Sequence, residues 1–258
     1  MLRASVFSAL KATGRVLERG STFLHYAAAG LLDLDELNEG IREKWSHFGV
    51  SESAISQGLF DWEQDLYGRN IRPNERVLLL GCGTGRDLLP LLAAGNAVDG
   101  LDIAGLETAR KQVEARGLSS HLIAGSMEDA PLEGAYDVVV YSWFVYCLLP
   151  EAERRVRTLV RFKRHLRPGG RIIVSLAPVG PLPNRVYVAA ARATSRLVRS
   201  DWRPEPGDSL FVGSRKTAFP EYHHVFALGE PEREFERAGL RLVERSAPEG
   251  IRAFVMVA

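Results

Sequence analysis

A strand that ends in a glycine-rich turn constrains the fold of this chain more than any other feature. Val77 to Leu80 form an unbroken apolar run, which is typical of a strand buried on both faces of a sheet. The run leads directly into Gly81-Cys82-Gly83-Thr84-Gly85, and a helical pattern begins at Asp87. Glycines let the backbone turn tightly and approach a ligand, and the helix N-terminus offers N–H groups to an anion. The segment therefore predicts a ligand-binding turn between a strand and a helix.

Strand and helix patterns alternate over most of the chain that follows, which predicts a parallel sheet with right-handed crossovers. The further strands are predicted at 97–101, 121–124, 136–141, 171–175, 241–245 and 253–257. The main helices between them are predicted at 87–94, 106–116, 151–166 and 232–238.

Two segments fall outside this alternation. Residues 1–70 have mostly helical patterns, and residues 177–229 are rich in proline with one helical pattern at 186–198. We predict a helical N-terminal lid over 1–70 and a main α/β domain over 71–258 that carries a lid insertion at 177–229. Ligands of such sheets bind outside the carboxyl ends of the strands, so we expect both segments to cover that edge as one lid.

Composition narrows the classes of partner. The chain has 33 basic and 32 acidic residues, a net charge of +1, so no strong positive field attracts nucleic acid. Its two cysteines, Cys82 and Cys147, supply neither a disulfide framework nor a four-cysteine zinc site. No apolar stretch is long enough to span a membrane and no signal peptide is evident, so we expect a cytoplasmic protein, monomeric or homodimeric.

Two basic amphipathic stretches are compatible with weak contact between the protein and a membrane surface. Residues 1–20 carry four basic residues against one acidic residue, and residues 184–203 carry five against one. Helices of this kind either pack on the main domain or lie on a lipid surface.

An acidic residue is the natural partner of the glycine-rich turn. Asp102 ends the second predicted strand, about twenty residues beyond the turn, where a carboxylate accepts both ribose hydroxyls of a nucleotide cofactor. The turn is shorter than the Gly-x-Gly-x-x-Gly of dinucleotide sites. The turn and the carboxylate alone do not distinguish a nicotinamide dinucleotide from S-adenosylmethionine as the cofactor. An NAD(P)-dependent oxidoreductase is therefore one alternative.

Four segments in order carry a family resemblance. The stretch 77–85 resembles motif I of the class I S-adenosylmethionine-dependent methyltransferases, and 98–102 resembles their second-strand acidic motif. Residues 125–132 are similar to their adenine-binding loop and 166–171 to the turn before their fifth strand. The resemblance implies an α/β, Rossmann-like, doubly wound sheet of seven mostly parallel strands with an antiparallel last strand. It also implies S-adenosylmethionine as cofactor.

The resemblance further implies a set of cofactor-binding residues: Gly81, Cys82, Gly83, Gly85, Asp87, Asp102, Ile103, Ser126, Met127, Glu128 and Tyr141. Leu79 stands where the family usually has an acidic residue that helps to hold the methionine amino group. Asp87, just after the turn, resembles the aspartate of members that lack that acid. Because of Leu79, a non-catalytic S-adenosylmethionine-binding module is a second alternative.

The end of the fourth strand, Tyr141-Ser142-Trp143-Phe144-Val145-Tyr146, faces the methyl group in this family. It lacks the Pro-Pro-aromatic pattern used for methylation of nucleic-acid bases, which favours a small, apolar or aromatic acceptor. We assign acceptor contact to Trp143, Tyr146 and Tyr222. His223 and His224 are candidate general bases; on a strand they point to opposite sides, so at most one faces the site. No third ligand accompanies them, so we assign no metal.

Overall fold

Strands and helices alternate in the computed structural model, which describes residues 2–46, 55, 57–178, 180, 182–211, 220–247 and 250–258. The strands are β1 Arg76–Leu80, β2 Ala97–Asp102, β3 His121–Ala124, β4 Tyr136–Tyr141, β5 Leu166–Leu176, β6 Asp208–Phe211, β7 Glu221–His224, β8 Arg241–Ser246 and β9 Arg252–Val257. The α-helices are α1 Leu2–Ala29, α2 Leu34–Ser46, α3 Asp61–Asn70, α4 Leu88–Ala93, α5 Leu106–Ala115, α6 Ala152–Lys163, α7 Arg185–Val198 and α8 Glu230–Arg237. A 3₁₀ turn spans Val145–Leu148.

Seven of the described strands form one sheet in the order β3-β2-β1-β4-β5-β9-β8. Pairs from β3 to β5 are parallel, and β9 runs antiparallel to both β5 and β8. This confirms the predicted Rossmann-like sheet with its antiparallel last strand. In the register of the three central strands, Leu80 lies opposite Leu101 on one side and Tyr141 on the other. The carboxyl ends of β1, β2 and β4 therefore meet at one edge.

The central strand β1 supplies core residues to both faces of the sheet. Its side chains alternate, so Val77 and Leu79 join one apolar cluster while Leu78 and Leu80 join another. Helices α3, α4 and α5 cover the first face, and α6 and α8 cover the second. Burial on both faces explains why β1 is an unbroken apolar run.

The two segments outside the alternation pack together as a third apolar cluster. We use "cap" for α1, α2, α7 and the hairpin β6–β7, which share this cluster; Leu37, Ala191 and Trp202 at its centre are fully buried. At Gly30 an added Cβ would lie 2.2 Å from the carbonyl oxygen of Ala191, so the close approach of α1 and α7 requires glycine. The helical N-terminal segment and the insertion thus share one core.

Of the helices in the described part of the chain, none combines the length and apolarity that crossing a bilayer requires.

Candidate active site

A cavity of about 260 Å³ lies at the carboxyl ends of β1, β2 and β4, where the predicted motifs converge. Its floor is formed by the glycine-rich turn, Asp102, Ile103, the loop 125–128 and Trp143. Its roof comes from one face of α2, through Asn38, Ile41, Arg42 and Trp45. The predicted cofactor residues that line it are Gly81, Cys82, Gly83, Asp87, Asp102, Ile103, Ser126, Met127 and Glu128.

The glycine-rich turn adopts backbone angles that favour glycine. Gly81 and Gly83 have φ of +75° and +50°. A Cβ at Gly81 would lie 2.9 Å from Val145 Cγ2, so this position also needs glycine for space. Among the described residues, a Cβ at Gly83 would meet only the Asp102 carboxylate, 3.9 Å away, and would otherwise project into open space. The turn thus leaves room for a ligand directly above its backbone, as S-adenosylmethionine requires.

Asp102 is joined to this turn. Its Oδ2 accepts a hydrogen bond from the Gly83 N–H at 2.6 Å, and its Oδ1 accepts one from the Ala104 N–H at 3.0 Å. Burial raises the pKa of the Asp102 carboxyl, and the backbone donors offset part of that rise. Each carboxylate oxygen keeps acceptor capacity beyond these bonds, which suits the hydroxyls of a ribose.

Two arginine side chains of α6 hold the loop that follows β3. Arg154 forms an ion pair with Glu128, with its Nε donating to Oε1 at 2.8 Å. Arg161 donates to the carbonyl oxygen of Met127 at 2.7 Å and also to that of Ala130. Both arginines hold the loop in place at the cavity wall.

Asp87 is a buried carboxylate at the start of α4 that lines the cavity. It accepts hydrogen bonds from Ser142 Oγ at 2.7 Å and from the Tyr67 hydroxyl at 3.3 Å. Arg86 lies 2.6 Å from it and also forms a bidentate pair with Glu63 of α3. Burial outweighs the adjacent Arg86 and raises the pKa of Asp87 to about 6. Leu79 lies in the sheet core and does not line the cavity, so Asp87 provides the carboxylate on this side.

Four predicted site residues lie elsewhere. Gly85 packs against Leu89 and α5. The ring of Tyr141 packs edge-on against Tyr146 and Phe162 in the core. The phenol of Tyr146 donates to Glu234 at 2.6 Å, and that of Tyr222 donates to Asp208 at 2.8 Å. Buried acidic partners draw these two phenols away from the cavity, so the assignment of Tyr146 and Tyr222 to the acceptor is corrected.

Neither histidine of the predicted pair is among the described residues that line the cavity. The two side chains point to opposite sides of β7, with His224 buried and His223 partly exposed. His224 contacts Asp208 at 2.8 Å through Nδ1 and Glu230 at 3.0 Å through Nε2. Burial lowers the pKa of His224, but these two carboxylates outweigh it and the pKa is raised. His224 joins the cap to α8 and has no access to a reacting group, so its assignment as a base is corrected.

His224 belongs to a buried group of ionisable residues. Ligand-type atoms of Glu205, Asp208 and His224 lie within 4.8 Å of one another. Arg155 lies 3.2 Å from Glu205 and 2.7 Å from Glu234, so a guanidinium already balances charge there. The geometry accounts for this group as an ion-pair network.

The described residues of the insertion, 177–178, 180, 182–211 and 220–229, do not line the cavity. The insertion supports α2 from behind. Lys44 pairs with Glu221 of β7 at 2.6 Å, and the Leu34 N–H donates to Asp201 at 2.9 Å. In the described part of the chain, α2 forms the roof and the insertion contacts α2.

Several lining residues were not predicted from the sequence. Arg86 lies 4.9 Å from the Phe60 ring centroid and 5.3 Å from the Trp143 ring centroid, so a cation joins two aromatic walls. We expected residues 1–70 to cover this edge of the sheet, but the sequence does not show that Asn38, Ile41 and Arg42 are among the α2 side chains that reach the cavity. An acidic capping pair, Asp33 and Glu36, does mark where α2 begins.

Comparisons with known proteins agree with this geometry. Residues 77–170 match the family model described as a methyltransferase domain. The chain is similar to a solved S-adenosylmethionine-dependent methyltransferase from Clostridium acetobutylicum, with TM-score 0.56 and 12% identity over 76% of this chain and 89% of that chain. It is also similar to the glycopeptide N-methyltransferase MtfA solved with S-adenosylmethionine, with TM-score 0.51 and 19% identity over 75% of this chain and 84% of that chain.

One curated relative is similar in sequence. Probable protein arginine N-methyltransferase 6 of Arabidopsis thaliana is 36% identical over an alignment of 201 positions that covers 69% of this chain. The chain spans 45% of the length of that relative. The matched domain, the sheet order and the cavity together define a methyltransferase fold. Residues 77–170 form a methyltransferase domain, and S-adenosylmethionine is the cofactor of this site.

Proposed function

We propose that this protein transfers a methyl group from S-adenosylmethionine to a small, apolar or aromatic acceptor held between the turn and α2. The observation that carries the proposal is the cavity itself. The floor presents the Gly83 backbone and Asp102, and the apolar side chains that border the same space are Ile41 and Trp45 of the roof and Trp143 of the floor. A polar cofactor face and an apolar acceptor face thus meet in one space.

Different residues of the chain would contact different parts of the cofactor. Asp102 holds the ribose hydroxyls, and Ser126 to Glu128 border the adenine. The Asp87 carboxylate faces the methionine ammonium, with Ser142 fixing its orientation. The bound cofactor supplies an electrophilic methyl group on a sulfonium, so the protein has to align the acceptor and exclude water.

The residues on the acceptor side of the cavity are suited to aligning the acceptor and not to removing a proton from it. Among the described cavity-lining residues there is no histidine, lysine or tyrosine. Alignment of two reactants is worth up to roughly 7–11 kcal/mol, which leaves a general base as a smaller contribution. We therefore propose an acceptor whose nucleophilic atom needs little help to lose a proton.

An amine nitrogen on a peptide is the second candidate acceptor. It is favoured by the relatives, which are named for arginine N-methylation and glycopeptide N-methylation. An arginine side chain would need free carboxylates, whereas Asp87 is paired with Arg86 and Glu128 is paired with Arg154. This pairing supports the small-molecule acceptor.

The test has two stages. Titration calorimetry should show binding of S-adenosylhomocysteine and none of NAD or NADP. Transfer of labelled methyl from S-adenosylmethionine should then be measured for panels of small phenols, thiols and amines and for an arginine-containing peptide. Transfer to the peptide alone would replace the small-molecule proposal, and cofactor binding without any transfer would support the non-catalytic module.

A further inference from the structure

Helix α1 carries an apolar stripe on the side that faces away from the protein. The helix has 28 residues, about 42 Å at 1.5 Å per residue. Its last turn packs against the other elements of the cap, and Tyr26 and Ala29 are buried there. The Tyr26 hydroxyl donates a hydrogen bond to the carbonyl oxygen of Asp208. Every residue from Ser5 to Ser21 is exposed. The first five turns of the helix thus extend beyond the core that anchors it.

The stripe consists of Val6, Leu10, Leu17 and Leu24. These side chains are 50% to 68% exposed, although each is large and apolar. At about 100° per residue they fall within a narrow sector of the helix, and Leu24 lies about 160° around the axis from Tyr26. The face that packs on the cap and the apolar face are therefore opposite each other. A row of large exposed aliphatic groups marks an interaction surface.

The opposite side of the same helix is basic, and exposed Phe7 and Val16 lie between the stripe and the basic side. Arg3, Lys11, Arg15 and Arg19 are all exposed, and Glu18 is the acidic residue of the helix, so residues 1–20 carry a net charge of +3. The whole chain has a net charge of only +1, so this part of the surface is distinctly cationic. A helix with an aliphatic face and a Lys/Arg-rich polar face has the composition of helices that lie in the plane of a membrane interface.

Pairing with a second copy is the main competing explanation, and the residues disfavour it. Leu10, Leu17 and Leu24 recur every seven residues, as in a coiled coil. The complementary seam positions include Thr13 and Gly20, which supply little apolar surface. Two copies would also bring two +3 segments together, whereas an anionic surface attracts them.

We propose that α1 is an interfacial helix that docks this protein on an anionic lipid surface, with Val6, Leu10, Leu17 and Leu24 entering the acyl boundary. Lys11, Arg15 and Arg19 add attraction to anionic headgroups. This docking is independent of the acceptor proposed above, because none of these residues lines the cavity.

Vesicle flotation of the full chain tests the proposal. Vesicles of phosphatidylcholine with 30 mol% phosphatidylserine should bind the protein, and vesicles of phosphatidylcholine alone should bind it far more weakly. Lys11, Arg15 and Arg19 lie on the side of α1 opposite the stripe, where salt partly screens their attraction to the headgroups, so Lys11→Gln, Arg15→Gln and Arg19→Gln together should lower the affinity roughly tenfold. The double variant Leu10→Glu, Leu17→Glu should lower it by more than about a hundredfold, since each leucine loses its apolar burial.

Leu228→Glu is the matched control. Leu228 is 79% exposed and lies just before α8, so this variant makes the same chemical change away from α1 and should bind vesicles as the parent does. Glutamate is a good helix former, and circular dichroism checks that α1 persists in the double variant. Equal binding by the double variant and the parent would overturn the proposal. So would a lack of vesicle binding together with a sedimenting dimer that the double variant dissociates.

Discussion

The carboxylate of Asp102, at the end of β2, accepts a hydrogen bond from the backbone N–H of Gly83 at 2.6 Å. This bond joins the two motifs that the sequence separates by 19 positions. It fixes the glycine-rich turn against the neighbouring strand and orients the carboxylate toward the space above the turn. One residue therefore both shapes the cofactor site and, in our proposal, contacts the cofactor.

Replacing Asp102 should weaken cofactor binding. A charge-assisted hydrogen bond contributes about 1.5–3 kcal/mol, so Asp102→Ala should raise the Kd for S-adenosylhomocysteine roughly tenfold to a hundredfold. The variant should also lose some stability, because the N–H groups of Gly83 and Ala104 lose their acceptor. Calorimetry gives the affinity and urea unfolding gives the stability. An unchanged Kd would show that Asp102 does not hold the ribose.

The substitution Gly83→Ala should have two effects, a loss of stability through backbone strain and a loss of cofactor affinity through occlusion of the ligand space. An L-residue at positive φ costs about 1–2 kcal/mol, so the free energy of unfolding should fall by that amount. The new methyl group would also enter the open space above the turn, so we expect the Kd for S-adenosylhomocysteine to rise at least roughly tenfold.

Gly95→Ala is the control for this substitution. Gly95 has φ of +85° and nothing within 4 Å of its added Cβ. The Gly95→Ala variant should lose a similar amount of stability and should bind S-adenosylhomocysteine with the same affinity as the parent. If both variants lost affinity equally, the space above Gly83 would not be the cofactor site.

Cofactor affinity should depend on the ionisation of Asp87. Burial raises its pKa to about 6, so in the free protein the carboxyl resists ionisation and its contribution to stability falls as pH rises from about 4 to 6. A methionine ammonium favours the ionised form. We expect S-adenosylhomocysteine to bind roughly tenfold more weakly at pH 5 than at pH 8, because only about a tenth of Asp87 is ionised one unit below its pKa.

Asp87→Asn provides the comparison for the pH profile. It should bind the cofactor more weakly at pH 8 and show little change between pH 5 and 8 in calorimetric titrations. A parental pH profile in this variant would assign the titration to another group.

Two aromatic substitutions test the acceptor face. Trp143 borders the cavity and lies 5.9 Å from Phe60, ring centroid to ring centroid. Trp143→Ala should raise the acceptor KM roughly tenfold through lost aromatic contact. Tyr146→Phe should leave that KM unchanged and lower the free energy of unfolding by about 1.5–3 kcal/mol, because Glu234 loses a buried donor. Steady-state kinetics with the acceptor found above and urea unfolding make the comparison; the reverse pattern would restore Tyr146 to the site.

Local patterns in the sequence predicted the sheet and the cofactor side of the site. Val77 to Leu80 are apolar without interruption because both faces of β1 are covered. The positions of Gly81, Gly83 and Asp102 follow from strand ends that a parallel sheet brings to one edge. The loop at Ser126 ends the next strand and meets the same edge.

Tertiary packing decided what the aromatic and ionisable residues do. Tyr146 and Trp143 stand three positions apart at the end of one strand, yet Glu234 draws Tyr146 into the core while Trp143 borders the cavity. Similarly, Asp208 and Glu230 hold His224 inside a network whose members are distant in sequence. Such partners have no fixed spacing, so no local pattern records them.

By itself, the sequence determined the order of strands and helices, the glycine turn and the carboxylate at Asp102, because these depend on residue-by-residue burial and backbone freedom. Only the tertiary structure decided that α2 forms the roof, that the insertion supports it, and that the apolar stripe of α1 faces outward. Those outcomes depend on which helix faces meet, through contacts such as Gly30 against Ala191, and long-range packing selects among faces that the sequence leaves equivalent.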